Sequence, residues 1–282
     1  MACSKIGLPL PPGIWRGTVH SVFEHSVNVF LGEGRPFLVI HSFAGMIPPG
    51  SFYIEDLDTG HVKAGMEVGA DGGSIHIGER CIHVLKESRY FDSSLPALEK
   101  NRFFLEPYRE MIDEKRKTQQ VPETMAREIC RRLHEGAGCF FEALERRDLP
   151  AMETAAGRCI GLGTGLTPSG DDLLSGILAV LKCFDPAGFQ LAVKAVLPEL
   201  HKTNDISRSY LLWACGGYGS DVVIHTIEGF MNEAQNEAAA KLLQLGHTSG
   251  ADILDGLVMA AEYLQEQVKR LDGSKERSLG KL

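Results

Sequence analysis

No stretch of this 282-residue chain approaches the ~20 consecutive apolar residues that a membrane-spanning helix requires. Its first residues also lack the basic start and long apolar run of a secretory leader, so a cytoplasmic protein is expected. Excess basic charge is missing as well. Twenty-nine Lys and Arg face 37 Asp and Glu, a net charge of −8, which argues against a nucleic-acid-binding surface. The short basic clusters at 115–117 and 131–132 are interrupted by acids and read as solvated helix faces. The seven cysteines are dispersed with no C-x-x-C pair, which argues against a disulfide framework and against a thiolate zinc site. Walker A, G-x-S-x-G and H-E-x-x-H patterns are absent too, and no strand precedes the glycine cluster 216–219 as a dinucleotide fingerprint would need.

What is present falls into two regimes. From residue 14 to about 85, short runs rich in Val, Ile and Phe recur at 18–23, 28–31, 37–40, 51–54 and 74–77. Gly, Pro, Asn and Asp punctuate them, as in Ile47-Pro48-Pro49-Gly50, which suggests a small antiparallel β-barrel or sandwich. The six histidines of this part (His20, His25, His41, His61, His76, His83) show no zinc-motif spacing. Beyond residues 88–96 the periodicity is helical. Helices are expected at 101–117, from Pro122 to 145, and at 149–158, 171–184, 186–200, 207–214, 221–231, 233–245 and 249–271. The fold class is therefore α+β: a β-rich domain at 1–92, a compact all-helical domain at 93–271, and a disordered polar tail at 272–282.

The helical part centres on residues 161–176, Gly-Leu-Gly-Thr-Gly-Leu-Thr-Pro-Ser-Gly-Asp-Asp-Leu-Leu-Ser-Gly. Thr167-Pro168 reads as a helix opening, with the hydroxyl as cap and the proline at the first helical position. Asp171 and Asp172 then lie in the first turn, where carboxylates favour the helix dipole. Capping needs one hydroxyl, not three alternate glycines as well. The amides of Gly163, Thr164, Gly165 and Gly170, with the hydroxyls of Thr167 and Ser169, are thus candidates for holding an anion. The helix that follows is apolar almost throughout and belongs in the middle of a bundle, with Gly176 marking a close approach.

The same signature returns 80 residues later. Ser169-Gly170-Asp171-Asp172-Leu173-Leu174-Ser175-Gly176 and Ser249-Gly250-Ala251-Asp252-Ile253-Leu254-Asp255-Gly256 both read Ser-Gly-x-Asp-x-Leu-x-Gly. If the two helix starts meet through Gly176 and Gly256, they present one pocket, with Thr248, Ser249 and Gly250 answering Thr167, Ser169 and Gly170. That pocket could take a small phosphate or carboxylate, or a divalent cation (Mg²⁺ or Mn²⁺) between Asp172 and Asp252. A duplicated packing device fits the repeat too. In between, 203–210 reads as a capped helix start with Asp205 or Ser207 as cap, and Arg208 in its first turn goes against the dipole rule, as a carboxylate-binding arginine would. His247, just before the second copy, is the best-placed acid/base candidate beside Asp171, Asp172 and Asp252.

These strings together, 161–172, Ile-Ser-x-x-Tyr-Leu at 206–211 and Gly-His-Thr-Ser-Gly-x-Asp at 246–252, resemble the AllH family. The resemblance implies a subunit of the oxamate carbamoyltransferase of anaerobic allantoin breakdown, in purine catabolism, working with FdrA-like and AllG-like partner subunits. It implies phosphorolysis of a ureido acid, oxalurate, to oxamate and carbamoyl phosphate, or the reverse. Two rival readings stand beside it: a stand-alone metal-dependent hydrolase using Asp172 and Asp252, and a non-catalytic scaffold or ligand-sensing subunit.

Overall fold

A computed structural model describes residues 1–71, 73–99, 102–118, 123–232 and 237–279. The chain forms two compact units, Met1–Leu95 with Arg208–Ile224, and Pro96–Ser207 with His225–Leu282.

The first unit is built on a closed barrel of β1 (Ala2–Leu8), β2 (Trp15–Phe23), β3 (Ser26–Phe30), β4 (Leu38–His41), β5 (Ser51–Tyr53), β6 (Glu67–Ala70), β7 (Ser74–Ile77) and β8 (Arg80–Asp92). The order around it is β1-β5-β4-β3-β2-β6-β7-β8. β1 and β8 pair parallel, as do β4 and β5, while the other neighbours are antiparallel. The barrel is therefore mixed, not antiparallel as the turn-rich sequence suggested. Apolar alternation has the same period in either strand direction, so it carries no sign of strand sense. Closure through β1 and β8 leaves no edge strand to template aggregation. β-branched side chains fill the interior, among them Ile6, Val27, Val29, Ile40, Ile75 and Ile82.

Residues 208–224 return to this unit. The Phe37 amide donates to Ser209 Oγ (2.7 Å), Trp213 Nε1 donates to the Phe37 carbonyl (3.1 Å), and the Ile47 amide donates to Asp221 Oδ1 (2.7 Å). Gly50 takes a left-handed φ of 61°, and a Cβ there would lie 2.4 Å from the Trp213 ring. Only glycine serves at that turn.

The helices are α1 (Glu106–Lys117), α2 (Glu123–Arg146), α3 (Leu149–Cys159), α4 (Ser169–Phe184), α5 (Pro186–Val196), α6 (Asp205–Cys215), α7 (Asp221–Gly229), α8 (Glu237–Leu242) and α9 (Ser249–Leu279), with a 3-10 turn at Leu197–Lys202. The expected helix starts at 101, Pro122 and 233 lie outside the described residues, as do 280–282 of the polar tail. Among the described residues no helix is long and apolar enough to cross a membrane. α4 sits at the centre of its unit: every residue in it is buried except Ser175 and Lys182. Fully burying one Leu or Ile contributes about 1.5–3 kcal/mol, and Leu173, Leu174, Ile177, Leu178 and Leu181 are all wholly buried.

α4 packs on α9 through the two glycines of the repeat. A Cβ on Gly176 would come within 2.3 Å of the Ile253 carbonyl oxygen, and one on Gly256 within 2.0 Å of the Leu173 carbonyl oxygen. Each glycine admits the other helix's backbone, so the two helix starts come to lie side by side.

Candidate functional site

The repeat in sequence is a repeat in three dimensions. Before α4 the Leu162 amide bonds to the Cys159 carbonyl (2.9 Å), and the Gly170 amide bonds back to the Leu162 carbonyl (2.9 Å). Before α9 the Leu245 amide bonds to the Leu242 carbonyl (3.0 Å), and the Gly250 amide to the Leu245 carbonyl (3.1 Å). Gly163 and Gly246 both hold positive φ, at 127° and 54°. A Cβ on Gly170 would lie 1.9 Å from the Cys159 carbonyl oxygen, and one on Gly250 would lie 2.0 Å from that of Leu242. The first copy differs by a longer loop, whose tip, Thr164, Gly165 and Leu166, is exposed.

These bonds revise the expected anion cradle. The amides of Gly170 and Gly250 are engaged by backbone carbonyls, and Asp171 and Asp172 amides both point at the Pro168 carbonyl (2.9 and 3.2 Å). Gly170 and Gly250 are thus packing residues. The N-cap of α4 is Pro168, one residue later than the expected Thr167, which does not cap. Its hydroxyl instead meets Ser249 Oγ at 2.7 Å, joining the two copies across 82 residues of chain.

The two Ser-Gly-x-Asp aspartates stand in reciprocal environments. The hydroxyls of Ser249, from the opposite helix start, and of Thr167, from its own loop, favour the charged form of Asp172. Ser169 of the opposite helix and Thr248 of its own loop do the same for Asp252. Each is 6% exposed, and on each the Oδ2 atom has no hydrogen-bond partner among the described residues. Burial pushes the Asp172 carboxyl well above the usual carboxylate range; the Ser249 bond opposes this, and the charges of Asp252 and Asp171 add to it. Burial also pushes Asp252 up to about 6, against hydrogen bonds from Ser169 and Thr248 and the nearby Arg116. Both carboxyls are thus displaced towards their protonated forms, chiefly by burial.

Asp171 is a different case. It is 2% exposed and collects hydrogen bonds from the Gly161 amide (2.8 Å), Thr203 Oγ1 and Ser207 Oγ (2.6 Å). With its oxygens so engaged, Asp171, expected as a catalytic carboxylate, ties the loop after α3 to the start of α6. Ser207 serves the same tie, and Asn204 is the cap of α6, accepting from the Ile206 and Ser207 amides (3.1 and 3.0 Å). Neither Asp205 nor Ser207 caps that helix. Arg208 belongs to the first compact unit, with Ser209 and Trp213. His247 is exposed in the turn before α9.

Sequence reading missed the charged group on the far side of Asp252. Arg116, read as part of a solvated basic run, is 24% exposed, and its Nη2 lies 2.6 Å from Asp255 Oδ2 and 3.8 Å from Asp252 Oδ1. His134 Nε2 lies 2.8 Å from the same Asp255 oxygen. Burial works against ionisation of Asp255, yet His134 and Arg116 together hold its carboxyl below the usual range. The Asp255 bond, followed by that of Cys130, raises the His134 imidazolium to about 10. The other basic cluster is as expected: Arg131 lies on the surface between Glu128 and Glu135. The Cys130-x-x-x-His134 spacing, one helical turn on one face, was the available signal. Among the described residues no three His, Cys, Asp or Glu side chains are grouped to hold a metal ion.

Comparison with known proteins agrees with this architecture. Residues 159–261, which carry both helix starts, match the family described as oxamate carbamoyltransferase subunit AllH. Residues 7–89, the barrel, match the AllH family N-terminal domain. No solved structure matches the chain. The chain belongs to the AllH family and is a subunit of an oxamate carbamoyltransferase, a transferase.

Proposed function

We propose that the paired helix starts of α4 and α9 bind the ureido or carbamoyl end of the substrate and manage its protons. The observation that carries this reading is the pair of unpartnered, buried Oδ2 atoms of Asp172 and Asp252. A buried polar atom without a partner is costly by about 1–3 kcal/mol, and a ligand group that satisfies it recovers that energy. Oxalurate and carbamoyl phosphate both present a carbonyl oxygen beside N–H groups. A neutral carboxyl donates to the oxygen or to a departing nitrogen, and an ionised one accepts from N–H.

In phosphorolysis of oxalurate the bond between the carbamoyl carbon and the amide nitrogen breaks, and the nitrogen leaves as oxamate with one added proton. Asp172, held neutral by burial, supplies that proton; Asp252 holds the carbamoyl N–H₂. The hydroxyls of Thr167, Ser169, Thr248 and Ser249 keep the two carboxyls in place. The loop amides of Gly163, Thr164 and Gly165 are suited to the anionic end of the substrate. The remaining subunits are FdrA-like and AllG-like proteins, and the pathway is allantoin breakdown in the cytoplasm.

Isothermal titration of oxamate and of carbamoyl phosphate, into the chain and into the enzyme purified through a tag on it, tests the reading. Binding that weakens tenfold or more in Asp172→Asn and Asp252→Asn is expected. Binding unchanged in both variants sinks it. A second reading, a divalent cation between the same two Oδ2 atoms, is favoured if Mg²⁺ or Mn²⁺ alone gives a heat signal that Asp172→Asn abolishes.

A further inference from the structure

Phosphorolysis has a physical difficulty that proton management does not remove. Phosphate and the ureido acid are both anions, and direct attack brings them together in one small site. At contact distance two like charges repel, more strongly at the lower effective dielectric of a protein site than in water. A covalent relay avoids this, because the first product anion leaves before the second substrate anion enters.

A group suited to such a relay lies beyond Asp252, joined to it through Arg116. Arg116 Nη1 donates to Cys130 Sγ at 3.3 Å, while Nη2 of the same guanidinium reaches Asp255 at 2.6 Å and Asp252 at 3.8 Å. The sulfur therefore lies one guanidinium away from Asp252. His134 Nε2 faces it at 3.8 Å. The groups around the sulfur are thus two cations, from α1 and α2, and one carboxylate, Asp255 on α9, which anchors both. The His134 contact, and then Arg116, bring the Cys130 thiol below its ordinary value despite partial burial and the opposing charge of Asp255. Cys3, Cys159, Cys183 and Cys215 go the other way, pushed up to about 11 or 12, in each case mainly by burial. Cys130 is also only partly buried.

We infer that Cys130 is the nucleophile of carbamoyl transfer and carries the carbamoyl group as an S-carbamoyl cysteine between the two halves of the reaction. The inference rests on the carbamoyl-transfer reading above. In the first half the thiolate attacks the ureido carbonyl carbon, a C–S bond forms and the C–N bond breaks. The nitrogen leaves with the electron pair and takes the Asp172 proton. In the second half a phosphate oxygen attacks the same carbon, a C–O bond forms and the C–S bond breaks. The sulfur departs as the thiolate, held by Arg116 and His134, and the phosphate's proton returns to the carboxyl pair. No oxidant or reductant is consumed. Arg116 and His134 are positioning residues, acting through the sulfur.

Two measurements test it. Iodoacetamide labelling of the full-length chain at pH 7, read peptide by peptide, is expected to modify Cys130 several-fold faster than the exposed Cys139. The pH midpoint of Cys130 labelling is expected to rise in Arg116→Gln and in His134→Asn. Labelling of Cys130 no faster than Cys139 overturns the inference. In the second measurement the assembled enzyme is mixed with the ureido acid while phosphate is withheld. A mass increase of one carbamoyl group on the Cys130 peptide, lost on adding phosphate, is expected, and Cys130→Ser is expected to abolish both adduct and turnover while still binding oxamate. An enzyme that turns over normally as Cys130→Ser refutes the relay and leaves the carboxyl-pair reading standing. That reading is judged separately, by oxamate binding in Asp172→Asn.

Discussion

Gly176 and Gly256 face each other where α4 meets α9, each admitting a backbone carbonyl of the opposite helix to within 2.0–2.3 Å of where a methyl group would sit. No neighbour can give way, because the obstructing atoms are main chain. Gly176→Ala and Gly256→Ala are each expected to lower stability by about 2–4 kcal/mol, as overpacking against rigid backbone does. Chemical denaturation measures this. Gly165 supplies the contrast: it has positive φ but open space around it. Gly165→Ala is expected to lose about 1–2 kcal/mol from backbone strain alone.

Stability should depend on pH in an unusual direction. The Asp252 carboxyl titrates at about 6 in the folded chain against 3.8 as the ordinary value. Between those values the folded state binds the proton and the unfolded state does not, so folding loses stability as pH rises from about 4 to about 6 and then levels off. Asp172, raised for the same reason, acts in the same sense. Asp252→Asn removes the ionisation and is expected to stabilise the protein at pH 7.5 by about 1–3 kcal/mol while making no gain at pH 4. Denaturation midpoints at the two pH values decide it.

Asp171 and Asp172 are neighbours in sequence with opposite assignments, and mutation can tell them apart. Asp171→Ala takes the acceptor from the buried Ser207 hydroxyl and the Gly161 amide, and is expected to cost about 2–5 kcal/mol. Folded Asp171→Ala protein should bind oxamate as wild type does. Asp172→Asn should behave in reverse, with stability kept or raised and oxamate binding lost. A binding defect confined to Asp171→Ala would reverse the two roles.

His134 should remain protonated far above the ordinary histidine range, since Asp255 and Cys130 hold its imidazolium to about 10. Its ring-proton NMR signals are expected to stay flat from pH 5.5 to 8.5. In Asp255→Asn the titration should fall back into that window. A midpoint near 6.5 in the wild type would remove the imidazolium from beside the sulfur.

How much of this could be read from the chain alone varied with distance along it. The Ser-Gly-x-Asp repeat and its paired glycines were legible because spacing in a helix is local, and spacing predicts which residues share a face. The β-rich front and helical remainder were legible for the same reason. The parallel pairings of β1 with β8 and of β4 with β5 were not, since alternation is blind to strand direction. Which aspartate stays unpartnered was equally hidden. Asp171 and Asp172 look alike until Thr203 and Ser207, more than thirty residues away, arrive at one of them. Arg116 was misread because Lys115 and Lys117 flank it, and only the packing of α1 on α9 separates it from them.

The hydroxyl contact between Thr167 and Ser249, 82 residues apart, has a bearing on where the chain can be cut. Each half-motif alone ends in an aspartate with nothing opposite it and a glycine with no helix to receive. The arrangement therefore exists only where two distant parts of the chain are both present and packed on each other, and a chain cut between them keeps neither half in its folded setting.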